Sequence, residues 1–176
     1  MTLNPDPLKE FLHSRLRGKM AKQSAGILVY RFRDQALQVL LVHPGSPLWA
    51  KKDTAAWSIP KGEFTDEEDP LQAARREVHE ETGLWIRENP MDLGVLTQPG
   101  GKKVHAFAVE GDFNPQNLVS NTFQMSWPPG FSQVKSFPEV DRAAWFPVQT
   151  AREKMHKGQV GFLDRLCAQL GVPGPE

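Results

Sequence analysis

The stretch from Gly62 to Leu84 constrains this chain more than any other, because it places three glutamates together on one predicted helix. Positions three and four apart share a helical face. With Glu77 set at zero, Glu81 falls at about 40° and Glu80 at about −60° on the helical wheel. Leu71, Ala74 and Val78 fall between about 60° and 120°, so an apolar stripe runs beside the carboxylates. Carboxylates grouped this way repel one another unless a cation sits among them, which points to a divalent metal.

The ends of the helix are written in the same stretch. Asp69 has the chemistry of an N-cap, Pro70 suits the first helical position, and Gln72 stands where a capping-box partner stands. Gly83 suits the left-handed residue that ends a helix. Arg76 lies four residues before Glu80 and can pair with it or fold back to Glu68, orienting a carboxylate.

These residues resemble the Nudix box, G-x5-E-x7-R-E-U-x-E-E-x-G-U, where U is a bulky aliphatic residue. Gly62, Glu68, Arg76, Glu77, Glu80, Glu81 and Gly83 stand at the fixed positions, with Val78 and Leu84 at the aliphatic ones. The alternative for such a charge run is an acidic amphipathic helix with a solvated face. The agreement of every motif position with the helix caps argues against it. The resemblance implies an α/β fold, an α/β/α sandwich with a mixed β-sheet between the box helix and a C-terminal helix. It extends over roughly residues 21–170, with an N-terminal extension at 1–20 and a C-terminal tail at 171–176.

The chain has 176 residues, enough for one domain with a substantial core. Its 21 basic and 21 acidic residues balance to zero formal charge, which argues against extended nucleic-acid binding. The single cysteine, Cys167, excludes an internal disulfide and suits a reducing compartment, the cytoplasm. It sits in a leucine-rich helical pattern and reads as a small buried apolar residue. No run is long enough to span a membrane. Leu8, Phe11, Leu12 and Leu16 have helical spacing in the N-terminal extension, which lacks the apolar core of a secretory signal. The oligomeric state is not legible.

Ser24 to Phe32 and Leu37 to His43 read as a hairpin of buried strands. His43, at a strand end, reads as structural. Residues 44–56 form a loop carrying Trp49, Lys51 and Lys52, and long loops are uncommon unless functional. An aromatic beside two lysines can stack on a base and hold phosphate oxygens. Solvated lysines and a Trp packed on the domain edge account for the same residues equally well. Trp57 to Ile59 reads as a short strand, turned into the box by Pro60-Lys61-Gly62. Lys61 lies beside the carboxylates, where it can contact phosphate, and the Gly62 carbonyl is a candidate metal ligand. Trp49, Trp57, Phe107 and Trp127 are candidates to stack on a base, although aromatics are more often core.

Further on, Leu84 to Ile86, Asp92 to Gln98, Lys103 to Glu110, Thr122 to Trp127 and Glu139 to Phe146 read as strands. Phe131 to Pro138 reads as a loop. Val148 to His156 and Gly161 to Leu170 read as helices.

The family resemblance implies hydrolysis of the phosphoanhydride bond in a nucleoside diphosphate linked to a further moiety X. Glu77, Glu80 and Glu81 are oxygen donors suited to Mg²⁺ or Mn²⁺, with Glu68 a further candidate ligand. Glu80 is a candidate general base. In this family a glutamate downstream of the box often joins the site; Glu139 is the candidate here, with Glu110 in reserve. The W-x-I-P-K-G lead-in at 57–62 resembles that of many Nudix enzymes and on that likeness favours a dinucleoside polyphosphate, with nucleotide sugars and oxidised nucleoside triphosphates close behind. Two other readings stay open: a nucleotide-sensing regulator without turnover, and an RNA-cap hydrolase. The intact carboxylate set argues against the first, and the neutral charge argues against the second.

Overall fold

The computed structural model describes residues 22–174, so the expectation for the N-terminal extension lies outside the described residues. A six-stranded mixed sheet forms the middle layer. Its strands are β1 (Gln23–Arg33), β2 (Ala36–Pro44), β3 (Lys61–Phe64), β4 (Met91–Thr97), β5 (Lys103–Glu110) and β8 (Val140–Pro147). The order is β4-β5-β1-β2-β8, with β3 also paired to β1. β1 and β5 run parallel and the other pairs antiparallel. β6 (Thr122–Ser126) and β7 (Val134–Pro138) form a separate two-stranded hairpin.

β1 shows how the sequence builds three layers. Its side chains alternate, so Ala25, Ile27 and Val29 face one side and Leu28 and Tyr30 the other. The first set packs with Ala73, Ala74 and Val78 of helix α1 (Pro70–Thr82). The second packs with Val148 and Ala151 of α2 (Val148–Lys154) and Phe162, Leu163 and Leu166 of α3 (Gly161–Leu170). The result is the expected α/β/α sandwich. Between β1 and β2 the chain turns through Asp34 and Gln35 at φ 51° and 63°, the paired left-handed geometry that matches strand twist.

At the far end of that hairpin β1 and β2 part, and residues 57–64 wedge between them. Ser58 exchanges backbone hydrogen bonds with Val42, Ile27 donates to the Pro60 carbonyl, and Lys61 to Phe64 pair with Gly26 to Gln23. The expected strand at Trp57 to Ile59 is therefore displaced to Lys61–Phe64, because continuous pairing is available only alongside β1. Leu84 to Ile86 is irregular rather than a strand. Val134 to Pro138, expected as loop, is a strand because it pairs with β6. No described helix is long and apolar enough to cross a membrane.

Candidate active site

Helix α1 is bounded as its sequence requires. The Asp69 side chain accepts the Gln72 N–H at 3.0 Å, and Gly83 closes the helix at φ 81°. Burying Ala73, Ala74 and Val78 turns Glu77, Glu80 and Glu81 towards the end of the sheet where β3 pairs with β1.

Arg76 organises the near side of this cluster. Its Nε and Nη2 donate to the two oxygens of Glu68, both at 3.0 Å. Its Nη1 donates to Glu77 at 2.6 Å and reaches Glu80 at 3.4 Å. Both pairings expected of Arg76 are present, and Glu77 is an additional one. Glu81 accepts the backbone N–H of Lys61 at 3.1 Å. Gly62 is packed so tightly that a Cβ there would fall 1.9 Å from the Glu77 carboxylate.

Glu139, just before β8, lies near enough to act on the charge of Glu77 and Glu81. The Asn121 N–H donates to the Glu80 carbonyl at 2.8 Å, the Glu139 N–H to the Asn121 carbonyl at 2.8 Å, and the Gly45 N–H to the Glu139 carbonyl at 2.9 Å. This backbone relay pins the residue before β8 to the last turn of α1. Glu110 stands apart. Ala106 is level with Gly26 on the sheet and Glu110 with Tyr30, roughly 13 Å further along. It does not belong to the site.

The electrostatics follow from this crowding. Burial pushes the Glu81 carboxyl up to about 8, with Glu77 and Glu139 adding to the effect and Lys61 opposing it. Burial raises Glu77 as well, against the pull of Arg76, and Glu80 and Glu139 contribute. Burial and then Glu80 raise Glu139. Lys61 is lowered by burial and by Lys102, while Glu81, Glu77 and Glu63 hold it up.

Among the described residues no three carboxylate, imidazole or thiolate groups form a ready-made metal-ligand arrangement. Glu77, Glu80 and Glu81 share one helical face, but their carboxylates do not close on one point. Glu77 and Glu80 are turned to Arg76, and Glu81 to the Lys61 backbone. The donor set nevertheless fits a hard divalent cation, since it consists of carboxylate oxygens whose mutual repulsion such a cation relieves.

The loop residues divide. Lys51 and Lys52 are exposed, and the Lys52 ammonium lies 4.5 Å over the Trp49 ring. Trp49 itself packs against the core layer opposite α1. Trp57 is 4% exposed, edge-on to His43 and Phe146, with its indole N–H donating to Asp53 at 2.9 Å. Its ring is core and cannot stack on a base, and Phe107 is likewise buried. His43 is fully buried between Asp141, at 2.9 Å, and the Lys52 carbonyl, at 2.6 Å, as a structural residue would be. His105 is a strand residue paired with Asp92, and Cys167 is buried.

Two positioning residues escape sequence reasoning. Asn121 works through its backbone, which no residue-type signal reveals. The buried side chain of Gln159 accepts the Ile59 N–H at 3.1 Å and so steadies the lead-in to Lys61.

The sequence profile of the NUDIX domain matches residues 20–166. A protein of Cellvibrio japonicus (strain Ueda107) named RNA pyrophosphohydrolase is 39% identical over 67 residues, which are 37% of this chain and 37% of that one. The NUDIX domain of Shewanella oneidensis NrtR, solved with ADP ribose, superposes with a TM-score of 0.60 at 17% identity, covering 97% of this chain and 99% of that one. The C. elegans Ap4A hydrolase in a binary complex superposes with a TM-score of 0.56 at 21% identity, covering 86% and 98%. At these identities the two structures speak to the fold alone. The chain spans 25% to 37% of the length of the first curated relatives it matches.

Proposed function

The chain belongs to the NUDIX domain family, and on that premise we propose that it is a Mg²⁺- or Mn²⁺-dependent pyrophosphohydrolase. Its substrate on this reading is a nucleoside diphosphate linked to a further group, a dinucleoside polyphosphate or a nucleoside triphosphate. The observation that carries the reading is that four carboxylates, Glu77, Glu80 and Glu81 on α1 and Glu139 just before β8, lie near enough to act on one another's charge.

Glu77, Glu80 and Glu81 are the residues that would hold the cation, with Glu68 and the Gly62 backbone beside them. A bound Mg²⁺ or Mn²⁺ would neutralise charge on the phosphates and make an attacking water more acidic. Water adds to a phosphorus, the bridging P–O bond breaks, and the departing phosphate takes the electron pair. The proton lost by water passes to a carboxylate. Glu139, whose carboxyl is raised by partial desolvation and by Glu80, is suited to receive it, with Glu80 the competitor on α1. Arg76 keeps the carboxylates oriented, and Lys61, beside them in the chain fold, is the residue that would meet a phosphate oxygen. The single buried thiol suits a reducing compartment, the cytoplasm.

The test is product identification across a panel of dinucleoside polyphosphates, nucleoside triphosphates, nucleotide sugars and capped RNA, with and without Mg²⁺ or Mn²⁺. Metal-dependent appearance of a nucleotide product supports the reading. Binding without release in either metal turns the chain into a nucleotide sensor, and salt-sensitive release from capped RNA alone makes it a cap hydrolase.

A further inference from the structure

The hairpin β6–β7 carries a row of apolar side chains that the two core layers do not use. Phe123 and Phe137 are directly paired, with ring centroids 6.2 Å apart. Met125, two residues from Phe123, shares their face of the ladder, as alternation requires. All three are half-buried, yet among the described residues none packs against either core cluster. A hairpin without a core beneath it is marginal on its own, so this row of rings calls for another role.

Its placement suggests that role. The Asn121 and Glu139 backbones, at the root of the two strands, are the same ones that tie Glu80 to the site. The apolar face also looks towards the loop after β2, where the Ser46 hydroxyl lies 3.9 Å from the Met125 sulfur. Gly45, next in the chain to Ser46, holds the Glu139 carbonyl. Phe123 lies two residues beyond Asn121, roughly 7 Å along an extended chain.

We propose that Phe123 and Phe137 form the nucleobase-recognising face of the site, with phosphates at the carboxylate cluster and the base against the hairpin. The proposal rests on the chain acting on a nucleotide. A base offers its π-face whatever its identity, so rings at this position confer affinity for the nucleoside with little preference among bases. Lys135 pairs with Met125 across the ladder and so adds positive charge on the same face.

The test compares ligands that share a phosphate chain and differ in the nucleoside. Dissociation constants for ATP, GTP, CTP, UTP and inorganic tripolyphosphate are measured by calorimetry, each with Mg²⁺, for the full chain and for Phe123→Leu, Phe137→Leu and Phe123→Tyr. The full chain should bind at least one nucleoside triphosphate more tightly than tripolyphosphate. Each leucine variant should lose about tenfold or more for that nucleotide while keeping its tripolyphosphate affinity, and Phe123→Tyr should retain both. Leucine preserves apolar bulk, and an unchanged melting temperature confirms that the hairpin stands. Equal affinity for nucleotide and tripolyphosphate in the full chain, absence of binding, or unchanged nucleotide affinity in the leucine variants overturns the proposal. Turnover is read separately on the same samples. Nucleotide discrimination without hydrolysis removes the catalytic reading and leaves the hairpin's role, whereas hydrolysis unaffected by the leucine variants does the reverse.

Discussion

The Gly62 backbone lies directly against the Glu77 carboxylate, and a Cβ at residue 62 would sit 1.9 Å from its oxygen. Glu77 has little freedom to yield, being buried and held by Arg76 at 2.6 Å. Gly62→Ala should therefore move the carboxylate without unfolding the sheet. A displacement on that scale costs hydrolysis about a hundredfold. Steady-state rates alongside circular dichroism check this, and a near-normal rate would mean that hydrolysis does not depend on where the Glu77 carboxylate sits.

Glu81 couples the site to folding. It keeps its proton to about pH 8 in the folded chain, against an ordinary value of 4.5. Between those values the folded state binds more protons than the unfolded one, so its contribution is full below about pH 4.5 and is lost as pH rises through about 8. In chelator, the urea midpoint of the wild type minus that of Glu81→Gln should fall from pH 5 to pH 8, and Mg²⁺ should restore the wild-type midpoint at pH 8. A difference that rises with pH would contradict the cluster's electrostatics. The same variant should hydrolyse substrate several orders of magnitude more slowly with its fold intact.

Arg76→Lys retains the charge and loses the two parallel bonds to Glu68. Loosening the partners of ligand residues typically costs about 10–100-fold in metal affinity. Calorimetric titration with Mn²⁺ should show a loss of that order. An unchanged isotherm would reduce Arg76 to a surface ion pair.

His43 ties the loop after β2 to β8. Replacing it with alanine opens a cavity beside Trp57 and leaves the Lys52 carbonyl without its donor, which together should cost about 3 kcal/mol. Urea denaturation measures it directly, and a loss near zero would show that the loop holds itself.

Lys51 and Lys52 are exposed on the loop after β2. If their loop reaches the phosphates, Lys51→Ala and Lys52→Ala should raise KM and leave kcat in place. An unchanged KM would assign the loop a structural role only.

Helix α1 was legible to its caps, because the apolar stripe, the Asp69 cap and the Gly83 terminator are all local properties of consecutive residues. The β1–β2 hairpin was legible for the same reason, since its buried runs declare themselves by composition. β3 and β7 were not. Lys61 to Phe64 and Val134 to Pro138 are too polar to announce a strand and become strands only because β1 and β6 offer them partners. The roles of individual side chains were harder still. Nothing in the residue Trp57 distinguishes a core ring from a base-stacking one until Phe146 and His43 close around it.

The set of carboxylates was therefore a property of the residue order, because one turn of helix presents Glu77, Glu80 and Glu81 whatever surrounds it. Which way they point was decided by residues brought in from elsewhere: Arg76 held by Glu68, the Lys61 backbone fixed by β1, and Glu139 delivered through Asn121. Helical periodicity is set by bonds between near neighbours. The convergence of groups distant in the chain depends on how the sheet closes, and that is settled only when the whole core packs.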